Sequence, residues 1–473
     1  MSHSPAGSGL EIPQEELRAL LRRSADWAAD HLAAVPEGPV RPHFPEEQAR
    51  LLESGALDEA PRSPEAVVDD ILDLIAPYPL GNGHPAFFGW VISPPAPIGI
   101  AADLIASAVN ANVGVGDHAL SRLERGALRQ VRGLLGLSPA GEGVLTSGGS
   151  MANLLCLTAA LRSVLPAEDA PGALTAREYV FYQSSETHAC VARAVRMLGG
   201  TLRTIPVGPD LALDTDELRT AIEKDRADGL RPAVVASTLG TVGTGAVDDL
   251  VTIGAICAEY GLWHHGDGSY GALWSAVPRA RALFAGMDTL DSVTVDPHKS
   301  LNVPIDCGVA LMRGQGLRAA FSMLPTYLHH DDDRPWLNEY SVELTRSGNR
   351  VLKLWSVLRM LGRRGVIGLL EHHLDVARHL AASVTAHPSM RLVADAKLST
   401  VCFVYEGCDS KELARRVTAA GRALIATVDI PGPDGPLTAL RACLCNYRTT
   451  TEHVDVLVSE IERAAASLAA ESK

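Results

Sequence analysis

Seven short strand-like runs alternate with helical stretches between about residues 97 and 355, and this alternation restricts the chain more than any other feature. The runs are GVLTSGG, REYVFYQS, LRTIPV, RPAVVASTL, LWHHGDG, SVTVDP and CGVALMR. Several are separated by helical patterns such as MANLLCLTAALRSVL, HACVARAVRML, TDELRTAIEKDRAD and DLVTIGAICAEYG. Strands that alternate with helices predict an α/β fold with a mostly parallel sheet covered on both faces. In such sheets ligands bind at the carboxyl ends of the strands. The loops leaving these runs are therefore where chemistry is expected.

The flanking regions differ. LRALLRRSADWAADHLAAV repeats apolar positions at three and four residues until Pro36, Pro39, Pro42 and Pro45 break it. PEAVVDDILDLIAPY fits a second helix, with Ser63 as N-cap and Pro64 at the first helical position. Such an arm cannot bury its apolar stripe alone and must pack on the main body or on another subunit. After residue 356 a long helical region precedes LVADAKLSTVCFVYEG, ALIATVDI and TALRACLCNYR, which suggest a small α+β domain. The expected organisation is a helical arm over 1–96, a large domain over 97–355 and a small C-terminal domain over 356–473.

Composition excludes several function classes. Apolar residues make up 47% and charged residues 21%, as in a folded soluble protein. The net charge of −14 argues against nucleic acid as a partner, since phosphate binding needs clustered Lys and Arg. The most apolar stretch, Pro94 to Val113, is interrupted by Asp103 and Asn110, so no membrane span of about 20 apolar residues is expected. The first residues lack the basic and apolar regions of a signal peptide. Eight scattered cysteines without a CxxC pair read as buried free thiols in a reducing, cytoplasmic compartment. Cys443 and Cys445 read as core neighbours rather than a metal or redox pair.

Four groups carry chemistry. Lys299 follows a strand-like run, where burial can lower an amine's pKa and make it nucleophilic enough to form a Schiff base. Asp267 follows another run between glycines, where a carboxylate can hold the protonated pyridine nitrogen of pyridoxal phosphate. TSGGSMANL places two glycines and Ser150 between a strand and a helix, a turn whose N–H groups bind phosphate. His188 could stack on a cofactor ring and move protons. Singly, each has an ordinary reading: a loop lysine, a helix cap, a plain glycine turn, a structural histidine.

Together with their surroundings they resemble the group II pyridoxal-phosphate decarboxylases, the family of aromatic-L-amino-acid, histidine and glutamate decarboxylases. The matching segments are HPAFFGW (84–90), TSGGSMAN (146–153), THACVARA (187–194), STLGTVGTGAVDD (237–249), GDGSYGALW (266–274), DPHKSLNVPIDCG (296–308) and LPTYLHH (324–330). They keep the family's order and similar separations across about residues 80–360. The resemblance implies a type I aminotransferase-like fold and a homodimer onto whose partner the N-terminal arm swaps. It implies pyridoxal 5′-phosphate held on Lys299, with His298 and the Gly148–Gly149–Ser150 turn at the phosphate. His188 would stack on the ring and Asp267 would pair with its nitrogen, with Thr241, Ser269 and Asp296 as further cofactor contacts. Tyr327 would protonate the substrate carbon after CO2 leaves. Trp90 and Ser93 would face the substrate side chain, within the chain or across the dimer interface near which the active sites lie. Where the family usually has tryptophan after the lysine, a second threonine, two alanines after the aspartate and glutamate after the turn serine, this chain has Ser300, Val242, Gly268 with Ser269, and Met151, which leaves the Schiff base, ring pairing and proton donor in place.

The implied reaction is α-decarboxylation of an L-amino acid to an amine. The alternatives are decarboxylation-dependent oxidative deamination to an aldehyde, carbon–carbon lyase chemistry, and a cofactor-binding protein without decarboxylase activity. Phe87, Phe88 and Trp90 favour an aromatic or apolar substrate, core packing being the other explanation for the two phenylalanines. The absence of basic clusters near the motifs disfavours a second carboxylate.

Overall fold

The expected alternation is realised as a seven-stranded sheet. The structure, a computed structural model, describes residues 10–55, 57, 59–165, 176–323, 335–432 and 435–471. The strands are β1 (Gly143–Thr146), β2 (Tyr179–Ser184), β3 (Thr201–Ile205), β4 (Arg231–Thr238), β5 (Trp263–Asp267), β6 (Ser292–Val295) and β7 (Gly308–Met312). Their spatial order is β1-β7-β6-β5-β4-β2-β3. Only β7 runs against the others, pairing antiparallel with both β1 and β6. Every residue of β2, β6 and β7 is buried, as strands covered on both faces require. The carboxyl ends of β1, β4, β5 and β6 therefore collect along one edge. Fully buried Trp274, in the short turn Ala272–Ala276, fills the core beside Leu145, Val295 and Leu370.

A second, antiparallel sheet is built from β8 (Met390–Leu392), β9 (Thr400–Tyr405), β10 (Ala426–Ile430) and β11 (Leu437–Cys443), in the order β10-β11-β9-β8. The helices Ser410–Ala419 and Thr451–Glu471 pack with it, around a core of Phe403, Leu413, Leu440 and Leu457. The helix Asn349–Ala386 runs through residue 355 and kinks at Gly362, where φ is 58°. The chain thus passes from the large to the small sheet inside one helical element.

Residues 82–96 join the parts. Phe88 N donates to Leu424 O (2.8 Å) and Phe88 O accepts from Cys443 N (3.0 Å). Asn446 Nδ2 donates to His84 O (2.9 Å), while Ser93 Oγ donates to His298 O (2.8 Å) beside the lysine loop. Phe87 and Phe88 are 3% and 0% exposed, inside the small-domain core. Their aromatic rings are core filling and not a substrate wall.

In the arm, Ser63 Oγ accepts from Ala66 N (3.2 Å) ahead of the helix Pro64–Asp70, as the N-cap reading expects. The helix Gln14–Ala34 buries only Leu20. All eight cysteines are free, but Cys408 is half-buried, because it follows β9 at the surface. Among the described residues no helix is long and apolar enough to cross a membrane.

Candidate active site

The edge where the parallel strands end encloses a cavity of about 330 Å³, within the usual range for small-ligand sites. β1 delivers the glycine turn. Gly148 starts the helix Gly149–Val164 without a side-chain cap, so the first N–H groups and the positive helix end are left for an anion. Only glycine fits at 149: a Cβ there would stand 2.3 Å from Ser269 Oγ and 2.9 Å from Asp296 Oδ2. Ser150 lies exposed at the cavity mouth.

β5 delivers Asp267. Its Oδ1 accepts from Ser269 Oγ (2.7 Å), Thr294 Oγ1 (3.1 Å) and Ser269 N (3.2 Å). The parallel register sets Thr294 of β6 directly beside it. Burial alone would raise its pKa, but the Ser269 bonds and the Lys299 charge outweigh burial and hold it below the ordinary carboxylate value. The group is an ionised, oriented acceptor.

β6 delivers Asp296, which precedes the one-turn helix Pro297–Ser300. Lys299 Nζ lies 3.0 Å from Asp296 Oδ2, and His298 Nε2 lies 3.7 Å from the same oxygen. Burial pulls the lysine pKa down, yet Asp296 and Asp267 raise it above the usual lysine value. The sequence suggests an amine lowered by burial; two neighbouring carboxylates reverse that direction. Among the described residues Asp296 Oδ1 is buried without a hydrogen-bond partner.

His188 N-caps the helix Ala189–Leu198, its Nδ1 accepting from Cys190 N (3.2 Å). Burial lowers its pKa despite Asp267 nearby, so the ring is neutral at pH 7 with its proton on Nε2. Gly148, Gly149, Ser150, His188, Asp267, Ser269, Asp296, His298 and Lys299 all line the one cavity.

Three expected contacts are placed elsewhere. Thr241 is not among the lining residues: its hydroxyl is spent inside its own turn, on Thr244 Oγ1 (3.0 Å) and Ala246 N (3.2 Å). Ser93 sits behind the site on the His298 carbonyl. Trp90 is 47% exposed and leans on Phe87, with ring centroids 5.8 Å apart. Tyr327 lies outside the described residues. The sequence reading missed Cys190, Tyr270 and Ile305 as lining groups. Each stands within a few residues of a motif residue, but a thiol, a core tyrosine and an apolar loop residue carry no signal by type. Tyr270 OH bonds to Ser399 and Thr400, both at 2.9 Å, tying this wall to the small domain.

The site thus offers an anion cradle, an amine, and a carboxylate set to receive a ring N–H. The uncapped helix turn suits the phosphate, the Lys299 amine the aldehyde and the Asp267 carboxylate the ring N–H of a phosphorylated, aldehyde-bearing pyridine such as pyridoxal phosphate.

A family model described as the pyridoxal-dependent decarboxylase conserved domain matches residues 45–406. An aromatic-L-amino-acid decarboxylase of Bacillus atrophaeus is 28% identical over 473 residues, covering 96% of this chain and 96% of that protein. The structure of Oryza sativa TDC with PLP and tryptamine matches with a TM-score of 0.90 at 23% identity, covering 99% of this chain and 100% of that one. Rhodiola rosea 4-hydroxyphenylacetaldehyde synthase matches with a TM-score of 0.85 at 24% identity, covering 96% and 99%.

Proposed function

Because the chain belongs to the pyridoxal-dependent decarboxylase family and is an amino-acid decarboxylase using pyridoxal 5′-phosphate, we propose that its substrate is an aromatic or otherwise apolar L-amino acid, released as the amine and CO2. The observation that carries this reading is the charge balance of the cavity. Lys299 and His298 both face Asp296, and His188 is neutral. Among the described residues no other Lys or Arg lines the cavity, so a second substrate carboxylate would meet no counter-charge. Met151, Val242 and Ile305 give the wall an apolar share. The name of the Bacillus relative and the tryptamine in the Oryza structure point the same way.

The cofactor supplies a carbonyl for amine attachment and a ring that takes up the electrons left when CO2 departs. Lys299 is the residue assigned to carry it, and its ammonium must first give up a proton. Asp296 Oδ2, at 3.0 Å, is placed to accept that proton. Gly148, Gly149, Ser150 and His298 hold the phosphate in this reading. Asp267, ionised and fixed by Ser269 and Thr294, keeps a proton on the ring nitrogen. His188 covers the ring face and Tyr327 returns a proton to the substrate carbon, each such group typically contributing about 10²–10⁴-fold in rate.

The active form in this reading is a homodimer. Leu17, Leu21, Ile71, Ile75, Leu104 and Ile105 are exposed on helices that a second copy would cover, and exposed Trp90 would then reach the partner's substrate. Light scattering should give twice 50.1 kDa. The free thiols support a cytoplasmic setting.

The test is product analysis of the cofactor-loaded protein against a panel of L-amino acids, with amine, aldehyde and peroxide followed separately. Amine and CO2 from an aromatic or branched substrate are expected. Preferred turnover of glutamate or aspartate would overturn the substrate class. Aldehyde with peroxide would replace the reaction by oxidative deamination. Tyr327→Phe should divert product from amine to aldehyde, and an unchanged amine yield would remove Tyr327 from its role.

A further inference from the structure

Behind the cavity wall, buried polar side chains run in line to Asp267. Trp263 Nε1 donates to Ser292 Oγ (2.9 Å), and Ser292 Oγ meets His265 Nδ1 (2.8 Å). His265 Nε2 meets Asn153 Oδ1 (2.7 Å), Asn153 Nδ2 donates to Cys190 Sγ (3.3 Å), and Cys190 Sγ donates to Asp267 Oδ2 (3.9 Å).

The orientation of the Asn153 amide, Oδ1 on His265 and Nδ2 on Cys190, imposes one direction on this chain. An indole N–H only donates, and an ionised carboxylate only accepts. Burial pushes His265 down to about 4, so its ring is neutral and carries one proton. Asn153 Oδ1 claims that proton at Nε2, which leaves Nδ1 to accept from Ser292. Asn153 then has only its N–H group to offer Cys190, and the thiol proton goes to Asp267. Oδ1 of that carboxylate already takes three donors. Oδ2 is therefore the oxygen left for the cofactor's ring nitrogen, and the thiol is its neighbour there.

We propose that Cys190 is a positioning residue for Asp267: the directed chain through Asn153 and His265 aims the thiol proton at Oδ2, fixes that oxygen, and sets how firmly the carboxylate holds the cofactor ring. This rests on the reading of Asp267 as the partner of the ring nitrogen. A thiol is a weak donor, so the effect is graded rather than absolute.

The experiment titrates pyridoxal phosphate into the full-length protein and reads two quantities, the cofactor's dissociation constant and the visible circular dichroism of the bound ring. Cys190→Ala should weaken cofactor binding about two- to tenfold, the worth of one hydrogen bond, and change the dichroic band. Cys190→Ser should restore both. Asn153→Asp presents an acceptor to the thiol, turns its proton away from Asp267, and should reproduce the Cys190→Ala signature with the thiol still present. If Asn153→Asp does not fold, the two Cys190 variants decide the matter. Unchanged affinity and dichroism in Cys190→Ala, or a change confined to its melting temperature, overturns the proposal. Asp267→Asn separates the two levels. If it alters both readouts while Cys190→Ala alters neither, only the positioning role fails. If Asp267→Asn alters nothing, the assignment of Asp267 itself is wrong.

Discussion

At one end of the cavity Asp267 Oδ1 takes three donors from the protein itself. At the end where β1 stops, the helix Gly149–Val164 begins without a side-chain cap, so its first N–H groups have no side-chain partner. The first end is finished by the fold alone. The second is left with helix N–H groups that the cofactor's phosphate would satisfy. A buried polar group without a partner costs about 1–3 kcal/mol, so affinity can be drawn from the open end. Orientation is drawn from the closed one.

Four perturbations test this contrast. The largest effect belongs to the open end: Lys299→Ala should lower kcat/KM by at least about 10³-fold. Borohydride should then fix no cofactor to the protein; fixation to the variant would mean that another amine carries it. Gly149→Ala pushes a Cβ into Ser269 and Asp296. Overpacking of this kind costs about 1–3 kcal/mol, to be read as weaker cofactor binding and a lower melting temperature. A neutral outcome would mean that the turn has slack which the structure does not display.

Acidification acts behind the closed end. Burial pushes His264 and His265 down to about 3 and about 4, against 6.5 for free histidine. Between those values and 6.5 the unfolded chain binds protons that the fold refuses, so stability falls as pH drops below 6.5. Each histidine contributes up to about 1.4 kcal/mol per pH unit. Buried Asp248 is raised to about 6 and opposes them, because the fold keeps its proton where the unfolded chain releases it. The histidines outnumber it, and the urea midpoint should be lower at pH 5 than at pH 7. A higher midpoint at pH 5 would mean that these rings are not held neutral. The smallest effect is expected of Ser269→Ala, about 1 kcal/mol in cofactor affinity. Thr294 and the backbone of residue 269 still hold Oδ1. A much larger loss would show that the closed end hangs on one hydroxyl.

The same contrast explains what was legible in the sequence. The strands announced themselves because each is a short apolar run closed by glycine or a polar residue. Lys299, Asp267, His188 and the glycine turn were candidates because each stands at or just beyond a strand's carboxyl end, and their roles were legible only through the resemblance that their order and flanking motifs carry. The supporting residues were not. Thr294 reaches Asp267 only through the register of two parallel strands, and register is written in no single segment. Cys190 reads as core by type, and only its distance to Asp267 shows otherwise. Thr241 lies in a matched segment, yet a local partner three residues away holds its hydroxyl, which no single segment announces. Trp90, which closes a matched segment, and Ser93 just after it likewise do not line the cavity of a single chain.

The strap of residues 82–96 has a consequence for cooperativity. Phe88 is bonded on both sides to the small domain, through Leu424 and Cys443, while Ser93 holds the carbonyl of His298 one residue from the lysine. Neither core can melt without tearing the strap from the other. The two sheets should therefore unfold in one transition, and the fragment 356–473 cut free would lose the phenylalanines that complete its interior. The small domain is a lobe that borrows part of its centre from upstream sequence, and the borrowed residues lead straight to the catalytic loop.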